Sequence, residues 1–254
     1  MTQTLAGRRA IVTGAGGGIG RATAALLAER GASVVLADHN RDRGKAAADA
    51  ISAGGGRCLF VPCDVSQDED CRQVVQSAID EYGGLDFLFN NAGIIRRSTV
   101  CDITTDDWDL VMAVNVRSIM LMSRYAVPAL AAGGGGAIVN TGSGWGISGG
   151  GRAVSYCASK GAVVNMTRAM AIDHGPQGVR VNCVCPGDTD TGMLQDEARQ
   201  LGVDREDFYA EAADRPLQRI GKPLDIAQTV AFLASDEAAF ISGAVIPVDG
   251  GGTA

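Results

Sequence analysis

Seven short apolar runs separated by longer stretches of helical pattern constrain this 254-residue chain more than any other feature. The runs are Ala10-Ile11-Val12, Val34-Val35-Leu36, Leu59-Phe60-Val61, Phe87-Leu88-Phe89, Ala137-Ile138-Val139, Val179-Arg180-Val181 and Ala244-Val245-Ile246. Most are apolar at every position, as strands must be when a parallel sheet is covered on both faces. Between them lie helix signals. Ala22 to Arg30 is closed by Gly31, Ser66-x-x-Glu69 has the form of a capping box opening a helix to about Tyr82, Thr104-x-x-Asp107 repeats that form, and Pro223 marks another start. The alternation predicts an α/β fold: one doubly wound domain of Rossmann type spanning residues 1–254, with a seven-stranded parallel sheet and helices on both faces. Ligands of such sheets bind outside the carboxyl ends of the strands. Residues 190–220 break the alternation with an acidic insert rich in Asp, Glu, Gln and Arg, and its position at a strand's carboxyl end predicts a substrate lid.

Composition narrows the function classes. At 46% hydrophobic and 20% charged residues, the chain has material for a large core and too little charge for disorder. The net charge of −7 is concentrated late: residues 1–189 carry 17 basic and 17 acidic side chains, residues 190–254 carry 5 and 12. Nucleic-acid binding therefore lacks an electrostatic footing. No uncharged apolar run reaches 18 residues and the first ten residues show no signal pattern, so the expectation is a cytoplasmic protein with no membrane partner. Seven cysteines, an odd number, point to reduced thiols, and with two histidines and no second Cys pair at zinc spacing no metal site is expected.

The first strand runs into Thr13-Gly14-Ala15-Gly16-Gly17-Gly18-Ile19-Gly20 and then a helical pattern. Glycines there let the backbone approach a pyrophosphate, and the free N–H groups and positive dipole end of the helix point at the phosphates. The second strand ends in Asp38, eighteen residues after Gly20, where a carboxylate accepts hydrogen bonds from ribose hydroxyls and repels a 2′-phosphate. This favours NAD as cofactor over NADP, although Arg41 and Arg43 nearby would serve a phosphate. Further along, Tyr156 and Lys160 stand four residues apart, on one helix face, in a chain with only 4 tyrosines and 3 lysines. An ammonium near a phenol stabilises the phenolate, which suits proton transfer near neutral pH.

These motifs, in this order, resemble the short-chain dehydrogenase/reductase family over nearly the whole chain. The resemblance assigns Gly14, Gly16, Gly18, Ile19 and Gly20 to the cofactor turn, and places Asp64 and Val65 near the adenine. It further matches Asn91, Ala92 and Gly93 of the Asn90-to-Gly93 motif, and Pro186, Gly187, Thr189 and Thr191 of the segment that holds the carboxamide of the nicotinamide. Catalysis would rest on Ser143, which binds the substrate oxygen; on Tyr156, the proton donor and acceptor; on Lys160, which lowers the tyrosine pKa and binds the ribose; and on Asn115, which holds a water beside the lysine. The departure is Thr141-Gly142-Ser143, where the family often has Ile-Ser-Ser. The resemblance implies NAD-linked hydride transfer between a secondary alcohol and a ketone, a small-molecule substrate and a homotetramer. Two other readings are an NADPH-dependent 3-oxoacyl-carrier-protein reductase and a non-catalytic NAD-sensing protein.

For the substrate, Arg96 and Arg97 follow Gly93 closely, Arg152 precedes Tyr156 by one helical turn and Trp145 follows Ser143. Three guanidinium groups at a pocket mouth would bind a carboxylate in bidentate geometry, and this run resembles family members that act on deoxy- and keto-gluconates. The competing expectation is that these arginines pair with the acidic insert or with a neighbouring subunit.

Overall fold

Alternate side chains of every strand leave for opposite faces of a single seven-stranded sheet, and both faces are covered. The computed structural model describes residues 4–254. In chain order the elements are β1 (Arg9–Thr13), α1 (Gly18–Glu29), β2 (Ser33–Asp38), α2 (Arg41–Ala53), β3 (Arg57–Pro62), α3 (Asp68–Tyr82), β4 (Phe87–Asn90), α4 (Thr105–Met112), α5 (Ser118–Ala132), β5 (Gly136–Thr141), α6 (Val154–His174), β6 (Val179–Pro186), α7 (Gly192–Leu201), α8 (Arg205–Ala213), α9 (Pro223–Ala234) and β7 (Val245–Val248). The strand order is β3-β2-β1-β4-β5-β6-β7, with every pair parallel. The sheet expected from the sequence is thus the sheet observed.

On one face Ala10, Val12, Val34, Leu36, Phe89 and Val139 pack with Leu27 of α1 and Ile226 and Val230 of α9. On the other, Ile11, Val35, Leu88 and Ile138 pack with Val74 and Val75 of α3 and Met122 and Leu130 of α5. The outer strands β3 and β7 are only half-buried, as sheet edges are.

Two helix starts differ from expectation. Helix α1 begins at Gly18, not Ala22, because the helical ladder already starts with Arg21 N donating to Gly17 O at 3.1 Å, after Gly18 has made the turn at φ +50°. Helix α3 begins at Asp68 with Gln67 at its cap position and no side-chain cap bond. The Ser66 hydroxyl instead donates to Asp64 Oδ1 at 2.7 Å, and Glu69 engages Arg72. The acidic first turn, Asp68 to Asp70, faces the positive end of the helix dipole instead. Thr104 caps α4 through Asp107 N at 3.1 Å, and Pro223 opens α9.

Thr105–Ala132 is one continuous helical run, long and apolar enough to cross a membrane by length and composition. Half of its most apolar window is buried, and Leu121, Met122, Ala126 and Leu130 belong to the core under α3, which accounts for that apolarity. The insert at 190–220 consists of α7, α8 and a return segment that rejoins the body through a bridge between Thr189 and Gly221.

A polar ladder threads the core. Asn90 Nδ2 donates to Asn140 Oδ1 at 2.9 Å, and Asn140 Nδ2 donates to Thr167 Oγ1 at 3.0 Å, all three residues being buried. The ladder ties β4, β5 and α6 together directly beneath the loop that follows Asn90. A buried polar group left without its partner costs about 1–3 kcal/mol. Asn140→Leu should therefore lower the unfolding free energy by about 1–2 kcal/mol, since it removes two buried hydrogen bonds and leaves Asn90 Nδ2 with a 3.4 Å contact to Ser123 Oγ and Thr167 with its bond to Val163 O. Urea denaturation checks this, and an unchanged midpoint would show that the ladder is not stabilising.

Candidate active site

The carboxyl ends of β1 and β4, where the strand order reverses direction, open into a cleft of about 600 Å³. One end is built by the β1–α1 turn. Gly14, Gly16, Gly18 and Ile19 line it, whereas Gly20 lies behind, where a Cβ would fall 2.2 Å from Gly14 O. Gly17 caps α1 without a side-chain bond, so the first amides of a 12-residue helix are free to face the cleft. Asp38 closes this end: its Oδ2 accepts from Gly16 N and its Oδ1 from Asn40 N, both at 2.8 Å. Arg43 also lines the cleft beside Asp38, whereas Arg41 does not. Asp64 and Val65 form the adjoining wall, with Cys63, His39 and Asn40, which sequence reasoning did not single out.

The Thr13 hydroxyl fixes the floor. It accepts from Asn91 N at 2.9 Å and Ala92 N at 3.1 Å, while Asn91 Nδ2 donates to Thr13 O at 3.0 Å. The loop Asn91-Ala92-Gly93 is thereby held against the glycine turn. Pro186, Gly187, Thr189 and Thr191 line the opposite wall, with Thr191 packed against Gly18. A cradle in which a Cβ at Gly14, Gly16 or Gly18 would stand 3.0 Å or less from its neighbours, free helix amides and a carboxylate at the end of β2 fit a nicotinamide dinucleotide.

At the other end stand Ser143, Trp145, Tyr156 and Lys160. Lys160 Nζ donates to Thr141 O at 2.8 Å and lies 5.5 Å from the Tyr156 ring centre. Asn115 does not line the cleft. It is fully buried behind it, with Oδ1 accepting from Ile94 N at 2.8 Å and Nδ2 donating to Ile94 O at 2.9 Å and Ser159 Oγ at 3.0 Å. Residues Ala113–Arg117 around it form a π-helical turn between α4 and α5, the local widening that such turns often provide at functional sites. Gly93 bridges the two groups: a Cβ there would stand 3.4 Å from both Asn115 Oδ1 and Lys160 Nζ. The departure at Gly142 has a steric cause, since a Cβ would meet Cys183 Sγ at 2.7 Å and Cys185 Sγ at 2.8 Å.

Lys160 Nζ stands at a distance from the Tyr156 ring at which an ammonium favours the phenolate, while burial is the largest influence on the phenol itself. Burial pushes the Tyr156 phenol above its usual value, and the Ser143 hydroxyl pulls it back. Lys160 is directed at a carbonyl, and burial lowers its own pKa to about 8.

The arginine cluster is corrected. Arg96 lines the cleft but pairs with Asp107 at 3.0 Å. Arg97 and Arg152 are not among the lining residues. The Arg97 guanidinium is paired with Glu197 of the insert at 3.0 Å and stacked over Trp145 at 4.9 Å. The acidic insert has claimed one guanidinium and α4 another. Sequence reasoning missed Glu197, Met193 and Leu194 of α7, all of which line the cleft.

A family profile described as enoyl-(acyl carrier protein) reductase matches residues 14–253. The meso-2,3-butanediol dehydrogenase of Serratia marcescens is 42% identical over 246 residues, 96% of this chain and 94% of that one. The cis-4-hydroxycyclohexanecarboxylate dehydrogenase of Sinomonas cyclohexanicum is 38% identical over 255 residues, 100% of both chains. Among solved structures, levodione reductase superposes with a TM-score of 0.93 at 33% identity, over 96% of this chain and 97% of that one.

Lys160 gives a test of the site's electrostatics. Its pKa falls from 10.5 to about 8 on folding, so while both states are charged the buried ammonium costs stability. Between pH 8 and 10.5 the unfolded lysine holds a proton that the folded one has released, so stability rises with pH across that window. The unfolding free energy of the wild type relative to Lys160→Met should rise by about 2 kcal/mol from pH 8 to pH 10. Paired urea titrations read this difference, and a pH-independent gap would refute it.

Proposed function

The chain belongs to the short-chain dehydrogenase/reductase family and is an oxidoreductase acting on CH–OH groups, and from that premise we propose an NAD-dependent enzyme that interconverts a small polar secondary alcohol and its ketone. The observation that carries the proposal is one cleft that joins the Asp38-closed glycine cradle to Ser143, Tyr156 and Lys160. When bound, a nicotinamide dinucleotide supplies the carbon that accepts or returns the hydride. Ser143 donates a hydrogen bond to the substrate oxygen. Tyr156, kept protonated at neutral pH by burial, gives its proton to that oxygen in reduction and takes it back in oxidation. Lys160 holds the ribose and stabilises the phenolate as the proton leaves, and Asn115 keeps the loop at Ile94 in place behind them.

Two buried hydrogen-bonded oxygens on Asp38 support NAD: a 2′-phosphate placed there would meet a carboxylate already committed to Gly16 and Asn40. Arg43 is the observation on the other side, and it keeps the NADPH-dependent acyl-carrier reductase as the second reading. The insert 190–220 serves as the lid, with α7 supplying its cleft face. The homotetramer that the family resemblance implies would cover the exposed Phe240 and Ile172, and light scattering showing a monomer would be contrary to it.

With pure protein and a panel of secondary alcohols, NAD should support faster turnover than NADP, and Asp38→Ser should narrow the ratio by about tenfold or more. A wild-type preference for NADP would reverse the cofactor assignment. Tyr156→Phe should reduce kcat at least about 100-fold, the usual scale of a lost acid–base group, while the NADH dissociation constant changes little. Retained turnover in that variant would remove Tyr156 from the mechanism.

A further inference from the structure

The substrate end of the cleft contains a carboxyl group that the mechanism above leaves unused. Glu197 stands on the buried face of α7 beside Leu194 and Ala198, lines the cleft and is 7% exposed. Its Oε2 accepts from Arg97 Nη1 at 3.0 Å. Among the described residues no donor reaches its Oε1, and that oxygen is not sealed away from the cleft.

The position of this oxygen is fixed from several sides. Arg97 Nη2 donates to Gly151 O at 3.0 Å, and Arg97 N donates to Gln200 Oε1 at 2.8 Å. The guanidinium lies over the Trp145 ring, which meets the Tyr156 ring edge-on with centres 6.2 Å apart. Glu197 is therefore indexed to the reacting phenol through Arg97 and Trp145. Burial pushes its carboxyl up to about 7; Arg97 opposes that shift, and Asp188 and Asp196 add to it. The neighbouring lining residues Ile94, Met193 and Leu194 are apolar. A substrate here meets an apolar stretch interrupted by Glu197; a second carboxylate of this lining, Asp188, is paired with Arg215, and the arginine charge nearest to Glu197 is already balanced.

We propose that Glu197 is a specificity-determining residue whose free Oε1 accepts a hydrogen bond from a second hydroxyl on a neutral substrate, so that the site takes diols and hydroxyketones in preference to simple alcohols and hydroxy acids. The inference rests on the alcohol dehydrogenase reading above. A simple alcohol leaves the buried acceptor unpaired, which costs binding free energy that no apolar contact returns. An anion is disfavoured because it would be brought beside a carboxylate in a site of low dielectric.

The test compares meso-2,3-butanediol with 2-butanol, and with 3-hydroxybutyrate as the anion, at saturating NAD. The wild-type kcat/KM should favour the diol over 2-butanol by about tenfold or more. In Glu197→Leu that ratio should fall by about tenfold, and in Glu197→Gln, whose single oxygen is claimed by Arg97 so that an amide N–H stands where the acceptor was, it should fall as well. Because Glu197→Leu leaves Arg97 buried and unpaired, the double variant Arg97→Met/Glu197→Leu repeats the measurement without a stranded charge. NADH binding followed by fluorescence reports that each variant is folded. A diol ratio unchanged in the double variant, or a wild type that prefers 2-butanol or 3-hydroxybutyrate, would overturn the assignment of Glu197 alone. A wild type that binds NADH and oxidises none of the three would overturn the dehydrogenase reading, and this inference with it.

Discussion

All seven strands run the same way, and most of what this molecule can do follows from that constraint. A parallel neighbour is reached only by crossing back over the sheet, so each connection returns through a helix and the loops leaving the carboxyl ends gather along one edge. The chain winds outward from β1 in one direction through β2 and β3, and from β4 in the other through β5, β6 and β7. Loops after β1 and β4 consequently diverge, and the cleft is the space between them. The Thr13 hydroxyl, holding two amides of the β4 loop, sets how far they part.

The two ends of the cleft use burial differently. At the dinucleotide end, the buried carboxylate of Asp38 is compensated by two backbone amides, which hold it rigidly in place. At the reaction end, burial drives Tyr156 upward and Lys160 downward, towards the uncharged form of each. Groups biased in this way respond strongly to any charge brought next to them, because little solvent is present to screen it. Rigid recognition and responsive chemistry come from one physical effect, distinguished by how many hydrogen bonds accompany it.

Local patterns in the sequence were sufficient where the physics is local. Short apolar runs, continuous in all but β6 with its Arg180, revealed each strand, and the spacing of Gly14 to Ile19, Asp38, Ser143, Tyr156 and Lys160 marked residues that meet in the cleft. The start of α1 was hidden because glycine has little helix propensity, so a helix that begins on Gly18 does not look like one. The capping role expected of Ser66 failed because the cap position falls one residue later, on Gln67, and the Ser66 oxygen accepts from Gln67 Nε2 instead of from a helix amide. Arg97 could not be placed from its neighbours, since its partner lies 100 residues away on α7. A clue to that partner was nevertheless present: Met193, Leu194, Glu197 and Ala198 fall on one helix face, and a carboxylate within an apolar stripe needs a reason to be there.

The π-helical turn around Asn115 has a consequence for how this chain can change by insertion and deletion. A π turn holds one residue more than the α-helical ladder needs. Deleting any one residue of Ala113–Arg117 would let the helix close into regular α form, at no loss of backbone hydrogen bonding. Because one wide turn takes up the extra residue, α4 and α5 already stand in nearly the relative phase of an uninterrupted helix, and the buried Val111 would stay on the core. The turn therefore acts as a length buffer: a one-residue difference is absorbed within the helix itself, and what it changes is the local path of the backbone that carries Asn115.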